Sequence, residues 1–505
     1  MNDSMKHIPT FAFLSALVLS GTCLAGEVIT YERFGAKGDG KADDLPAIVA
    51  AHKAANAKGT PVRARDGATY YLHADGLTAE IATDTDFGTA KFVIDDRDIT
   101  NTWSYIFVLK PTKPSYLVTN VASLARGMTR VGATFPTRVM VKFEDANRRQ
   151  FRRTGNANMV TDGQPQQEWL IIRPDGTLDP STEVFQDMAT VTRARAYPID
   201  EKPLTVSGGH FTTIANREIA PLWKKWNGYH RGFSVTRANV CMRGIVHAVV
   251  DEIDGICPYY GFMRFDNTAD VTISDCVFQA HRKTSHGTYD ISLGNVVNAS
   301  FYNCRESTCL WEGGTKYWWA FTSNYCRNIL FDGCEFGRFD AHCGVHNATI
   351  RNSRLAILAI TGGGTLRVEN ARFEGYPYFL RFRGDYGSTW NGDIIVKDCT
   401  FRPPKGSGGL FSVCRNDGSH DYGYPCHMGR TITVDGLKVE NGEPGKSDAA
   451  FTWFCTYVDE RDPKAPYPYH LPEKVTIRNA SCSNGLPPRR CNKPKFFEGL
   501  EIDGL

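Results

Sequence analysis

The sequence holds no long apolar run beyond its first twenty residues, so nothing after that point is built to cross a bilayer as a helix. It has no block of Lys or Arg, and 58 basic against 55 acidic side chains leave a formal net charge of only +3. That balance gives no electrostatic footprint for a nucleic-acid partner. No CxxC pair occurs among the 15 cysteines, which leaves no framework for a structural zinc site. The 47 glycines and 25 prolines show no triplet period, which excludes collagen. Nor is the chain largely disordered: 42% of its 505 residues are hydrophobic and 12% aromatic, enough to bury a large core.

What is present begins with an address. Lys6 and His7 precede an apolar run from Phe11 to Leu19, and Cys23-Leu24-Ala25 ends on a small residue before Gly26. This is the pattern of a secretory signal peptide over residues 1–25. Ser20-Gly21-Thr22 before Cys23 fits a lipobox poorly. The expectation is a secreted or periplasmic protein without a membrane span. Cys23 leaves with the signal, and the other fourteen cysteines all lie at or beyond Cys241. In an exported protein an even number favours disulfides. Cys309/Cys326, Cys414/Cys426 and Cys482/Cys491 are the local pairs expected.

Internal repeats decide the fold. Short alternating strands recur at Val271–Phe278, Ala299–Cys304, Ile329–Phe336, Ala348–Ser353, Leu366–Phe373 and Ile394–Phe401, with similar units at 204–211, 233–240, 432–439 and 475–482. In the best-matched units an Asn, Asp or Gly follows the strand, then a small or apolar residue. Period-two alternation signals a strand, and a unit of 20–30 residues signals a solenoid whose coils bury their apolar faces only by stacking. Cys276, Cys304, Cys334 and Cys399 then share one interior ladder position, as small hydrophobes. The Asn or Asp before them suits a bend, because short polar side chains tolerate left-handed backbone.

The start of the mature chain carries a resemblance. Phe34-Gly-Ala-Lys-Gly-Asp-Gly-Lys-Ala-Asp-Asp44 leads into a helix-like stretch, Leu45 to Ala57; Gly59-Thr-Pro-Val-Arg63 and Tyr70-Tyr-Leu72 follow as strands. This resembles the N-terminal segment of the pectate-lyase-like superfamily. The resemblance implies an all-β, right-handed parallel β-helix whose open end is capped by that helix. It leaves the reaction open, since lyases, glycoside hydrolases, esterases and phage tailspikes share the fold. The expected organisation is a signal peptide (1–25), a cap with the first coils (26–100), an inserted strand-rich lobe (101–203) and the main β-helix (204–505).

The resemblance also implies a groove along one solenoid face, lined by the strand before each repeat unit. Those strands offer Arg264, Asp266, Tyr289, Asp290, Asn324, Arg338, Asp340, His342, His346, Arg381 and Arg383. The densest segment is His281-Arg-Lys-Thr-Ser-His-Gly-Thr-Tyr-Asp290, which includes Lys283 and His286. The candidate catalytic residues are His286, Tyr289, Asp290, Arg338, Asp340 and His342. Asp340 and His342 are two apart and share a strand face, where the carboxylate can orient the imidazole. The candidate substrate-binding residues are Arg264, Lys283, Asn324, His346, Arg381 and Arg383, with Trp318, Trp319 and Tyr386 as stacking surfaces beside Trp311 and Tyr317.

Arg, His and Tyr are the types that β-elimination from a uronic-acid polymer needs: a cation on the carboxylate, a base for the adjacent C–H, and an acid for the leaving oxygen. The expected function is therefore a polysaccharide lyase acting, as a monomer, on an acidic polysaccharide. An inverting glycoside hydrolase built on Asp290 and Asp340, or a non-catalytic carbohydrate-binding solenoid, are the alternatives. No cofactor is required by the sequence. Asp266, Asp290 and Asp340 are the oxygen ligands a Ca²⁺ ion would use.

Overall fold

The computed structural model describes residues 27–101, 104–153, 162–215, 229–249, 259–279, 289–307, 321–404, 408–413, 415–444 and 450–504. The proposed signal peptide lies outside them. Each repeat unit hands its backbone hydrogen bonds to the next coil. Val271 pairs with Ala299, Ala299 with Ile329, Ile329 with Ala348, Ala348 with Leu366, Leu366 with Ile394, Ile394 with Ile432 and Ile432 with Val475, all parallel. The chain is a parallel β-helix. Alternation sends Ile273, Phe301, Phe331, Ile350, Val368, Val396 and Val434 into the interior, where all are buried.

The bends follow the residue types. Asp275, Asn303, Asn352, Asn370, Asp398 and Asn479 adopt φ between 47° and 54°, and Gly333 and Gly436 occupy the same position at 67° and 75°. Their side chains tie coil to coil: Asn303 Nδ2 donates to Asp275 Oδ1 (3.3 Å) and Asn370 Nδ2 to Asn352 Oδ1 (2.8 Å). One residue later, Cys276, Cys304, Cys334 and Cys399 stand inside, none more than 1% exposed. Each thiol donates to the carbonyl two residues before it, at 3.2–3.6 Å.

The disulfide expectation is corrected here. Among the described residues eleven cysteines are free thiols, including Cys326, Cys426, Cys482 and Cys491. Cys326 and Cys426 point their thiols at their own chain, toward the carbonyls of Asn324 (3.3 Å) and Tyr424 (3.7 Å), as the interior ladder does. Their expected partners Cys309 and Cys414 lie outside the described residues.

The helix Leu45–Lys58 closes the N-terminal end. Pro stands in its first turn, Gly59 ends it at φ 65°, and Leu45, Ile48, Ala51, His52 and Ala55 are buried. His52 Nε2 meets the Tyr31 hydroxyl at 3.0 Å, beside the first interior aromatic stack of Tyr31, Tyr70 and Phe92. No helix among the described residues is long and apolar enough to cross a membrane.

A separate antiparallel sheet rises from the solenoid, in the order Gln164–Ile172, Val139–Gln150, Arg193–Pro198, Tyr116–Val118. Alternation gives it two apolar faces. Val139, Val141, Phe143, Leu170 and Ile172 form the lobe's own core. Met140, Trp169, Ile171 and Tyr197 turn the other way and pack on Ala238, Ala269 and Val297 of the β-helix. The join is reinforced by Arg327, whose Nη1 donates to Trp169 O (2.8 Å) and whose Nη2 lies 3.5 Å from the buried Glu168 carboxylate.

Three ladders of strands run along the solenoid. The first carries the repeat units. The second includes Glu335–Cys343, Arg354–Ile360 and Tyr378–Phe382. The third joins Met263 to Ile291 and Ile291 to Phe321. Glu335–Cys343 leaves the second ladder and enters the third, pairing Ala341 with Ser323. Asp340 and His342 therefore stand at the corner between two faces.

Candidate active site

Met263, Phe265, Ile291, Leu293, Phe321 and Ala341 point inward along the third ladder and are buried. Alternation then turns Arg264, Asp266, Ser292, Thr322, Asn324, Asp340 and His342 outward, onto one face. Gly294 keeps that face open. A Cβ there would stand 2.5 Å from Asp266 Oδ1.

Asp340 is the centre. Its side chain is fully buried, yet it carries three partners. Arg383 Nη1 donates to both of its oxygens (2.8 and 3.0 Å), Arg338 Nη2 lies at 2.8 Å, and the Tyr289 hydroxyl donates at 3.3 Å. From inside, Ser323 Oγ donates to the Asp340 carbonyl (2.8 Å). Burial alone would raise the carboxyl's pKa, but Arg338 and Arg383 more than offset it and hold Asp340 below the usual carboxylate range.

His342 is half-buried, and its Nδ1 meets Asn324 Oδ1 at 2.7 Å. An amide oxygen only accepts, so Nδ1 carries the hydrogen and Nε2 keeps its lone pair. Burial, reinforced by the Arg383 charge and opposed by Asp340, pushes the His342 pKa down to about 3. The imidazole is neutral at physiological pH. Its ring meets Tyr386 edge-on, centroids 5.8 Å apart.

Arg383 reaches past Asp340 to a second carboxylate. Its Nη2 donates to Asp385 Oδ2 (2.9 Å), as does Arg153 Nη2 from the lobe (2.9 Å). Burial opposes ionisation of Asp385, but Arg383 and Arg153 hold its pKa at about 2. Arg153 also stands over the Tyr386 ring, 5.8 Å from its centroid. Neither Arg153 nor Asp385 is marked in the sequence, where 232 residues separate them.

Three solved structures resemble this arrangement of coils. The tailspike protein gp49 of Pseudomonas phage LKA1 matches over 91% of this chain and 81% of its own, with a TM-score of 0.56 and 12% identity. The tailspike gp61 of Pseudomonas phage phi297 matches over 94% and 84%, with a TM-score of 0.55 and 14% identity. The gp54 tailspike of Acinetobacter baumannii bacteriophage AP22, solved with a capsular saccharide, matches over 90% and 76%, with a TM-score of 0.52 and 8% identity. No family model and no curated protein sequence matches the chain. At these identities the likeness is one of fold, the stacked-coil parallel β-helix described above.

On this parallel β-helix the candidate residues separate into groups. Tyr289, Asn324, Arg338, Asp340, His342, Arg383 and Tyr386 come together. Arg264 and Arg381 flank Asp340, three coils and two coils from it, roughly 14 and 10 Å along the ladders. Arg264 pairs with Asp266, and Arg381 Nη1 donates to the Tyr376 hydroxyl (3.2 Å). Lys283, His286, Trp311, Tyr317, Trp318 and Trp319 lie outside the described residues.

Asp290 is a correction. It turns into the solenoid, fully buried, with Oδ2 2.8 Å from His247 Nδ1. Both Phe262 N and Met263 N donate to the Asp290 carbonyl. Two residues of one strand thus face one of the next, and this bulge breaks the alternation that would have kept Asp290 outside. His346 is another: its ring lies against Phe185 of the lobe (3.8 Å between centroids), away from the Asp340 cluster. The third concerns calcium. Asp266, Asp290 and Asp340 are taken up by Arg264, by His247 and by Arg338 with Arg383, and do not converge. Among the described residues no group of three or more His, Cys, Asp or Glu is placed to hold a metal ion.

Proposed function

We propose that the protein is a lyase that cleaves a uronic-acid-containing polysaccharide by β-elimination. The carrying observation is a proton acceptor and a proton donor set around one carboxylate. Burial and Arg383 hold His342 unprotonated, with Nε2 available. The Tyr289 hydroxyl donates to Asp340 (3.3 Å), which sets an O–H donor beside the same carboxylate.

In this reading His342 Nε2 takes the proton from the carbon next to the substrate carboxylate. The electron pair forms a carbon–carbon double bond and expels the glycosidic oxygen, which takes the Tyr289 proton. The Arg338 and Arg383 guanidiniums, held in place by Asp340, supply the positive field that stabilises the charge building on the carboxylate. Arg264 and Arg381 extend that field along the face, suited to an anionic polymer. Transfer of the proton from His342 back to Tyr289 through solvent restores the starting states.

An inverting hydrolase needs one protonated carboxyl group. Asp340 and Asp385 are both held ionised by arginines, which counts against that reading. The capsular saccharide in one tailspike of this fold supports a saccharide ligand here, and the export pattern of residues 1–25 fits a polymer met outside the cytoplasm. The test is digestion of a panel of uronate polymers, following ultraviolet absorbance and reducing ends together. A lyase raises both, because each cut leaves a conjugated double bond. Reducing ends without absorbance would overturn the proposal.

A further inference from the structure

We propose that the cleft between the lobe and the solenoid is a second saccharide-binding site, which holds a stretch of acidic polymer other than the one being cut. The cleft encloses about 260 Å³. It runs along the solenoid axis past His346, Gly362, Asn391 and Arg430, on four successive coils, roughly 14 Å at the spacing of stacked strands.

Its floor is a set of amides built into the lobe. Gln150 and Gln166 are 4% and 1% exposed. Gln150 Nε2 donates to Gln186 Oε1 (2.7 Å), and Gln166 Nε2 to the Asp187 carbonyl (3.0 Å). Gln186 is fixed from beneath, its backbone N–H donating to the buried Glu168 (2.7 Å). Among the described residues no donor reaches the buried Gln166 Oε1. A buried acceptor without a donor costs free energy, and a sugar hydroxyl is a donor of the right size to satisfy it.

The walls and rim name the ligand more closely. Phe185 and Tyr424 present aromatic surface, to which the apolar faces of sugar rings are suited. Arg126, Arg148 and Arg430 line the same cleft. Arg430 is held by Asn391 (2.8 Å) and Glu473 (3.1 Å), and Arg126 lies 3.5 Å from Asp187. Arg148 is exposed and makes no ion pair among the described residues. Amides for hydroxyls, aromatic faces for rings and guanidiniums for carboxylates describe an acidic oligosaccharide.

The cleft and the Asp340 cluster share a wall. Phe151 stands between them, its ring 5.0 Å from Tyr424 and 6.0 Å from Tyr386, and the Tyr424 hydroxyl donates to the Tyr386 carbonyl (2.6 Å). Gly344 makes room for that ring, since a Cβ there would stand 2.9 Å from it. A polymer long enough to span the wall is held at two points. The acidic class of ligand rests on the lyase reading.

The experiment is calorimetric titration of the full chain carrying His342→Ala, so that nothing is cut. The probes are tetragalacturonate and tetramannuronate, each beside its carboxyl-reduced form. At least one acidic tetramer should bind, and better than its reduced form. Arg126→Ala with Arg148→Ala should weaken it on the order of tenfold or more, the scale of a lost charge-assisted hydrogen bond. Phe185→Ala should weaken the acidic and reduced forms alike. The distant surface change Lys495→Ala should do nothing. Undiminished binding in the double arginine variant, or no binding of either acidic tetramer, overturns the proposal. If the wild type releases unsaturated product while cleft variants bind normally, the lyase reading stands and the cleft fails. If no polymer is cut but binding depends on the arginines, the reverse holds.

Discussion

Two histidines, His247 and His342, each share a cluster with a fully buried aspartate, and the two clusters do opposite things. His247 lies inside the solenoid. Its Nδ1 is 2.8 Å from Asp290, its Nε2 is 3.0 Å from Thr213 Oγ1, and its ring stacks flat on Phe262 at 3.9 Å. Both ring nitrogens are engaged and the side chain is fully buried. His342 faces out beside Asp340, with one nitrogen tied to Asn324 and the other left as a lone pair. Asp290 answers an imidazole and the Gln279 backbone N–H (3.1 Å), whereas Asp340 answers two guanidiniums and a phenol. A residue type therefore carries no function by itself. The side of the strand it occupies decides whether it holds the coil together or meets a ligand.

The comparison breaks most sharply under substitution. His247→Ala leaves the buried Asp290 without its imidazole hydrogen bond, and a buried polar group stripped of a partner costs about 1–3 kcal/mol, more for a charged one. Urea denaturation should show that loss, while turnover per folded molecule stays unchanged. His342→Ala should do the converse. Turnover should fall on the order of a hundredfold or more, the scale of losing a general base, with stability lowered by only about 1 kcal/mol for the Asn324 hydrogen bond. If His247→Ala abolishes turnover in folded protein, or His342→Ala spares it, the assignment of inside and outside roles is wrong.

A smaller effect sharpens the outer cluster. Asn324→Ala removes the acceptor that fixes the His342 tautomer, and turnover should drop about tenfold, in line with one hydrogen bond. The smallest effect is in pH. With His342 held near 3, the acid limb of kcat/KM should lie well below the ordinary histidine value of about 6.5. Stability should move differently. His52 and His342 sit at about 3 and His427 at about 4 when folded. The unfolded chain takes up protons on them below about pH 6.5. The folded state resists that uptake, so stability from these groups should fall as pH drops from about 6.5 toward about 4. Thermal unfolding across that range checks the sign. An acid limb of kcat/KM near 6.5 would place the base elsewhere.

Much of this was legible in the sequence because a solenoid repeats its rules. The Asn, Asp or Gly after each strand reads as left-handed backbone, and those positions have positive φ. The cysteine after it reads as interior packing, and four of them are buried in that place. The outward turn of Asp340 and His342 follows from a spacing of two. Asp290 escaped because a bulge interrupts the alternation one residue before the strand Ile291–Tyr302 begins. Arg153 and the Gln150–Gln166–Gln186 floor escaped because they reach the solenoid only through the docking of the lobe. No period relates the lobe's sequence to the coils it touches.

The central claim is that the outer cluster acts on a carboxylate. The most direct measurement compares cleavage of one uronate polymer in its native and carboxyl-reduced forms, followed by reducing ends. If an arginine-supported base removes the proton next to that carboxylate, the native polymer should be cut at least a hundredfold faster, since reduction removes the group that makes the carbon acidic. Equal rates on the two polymers would contradict the account.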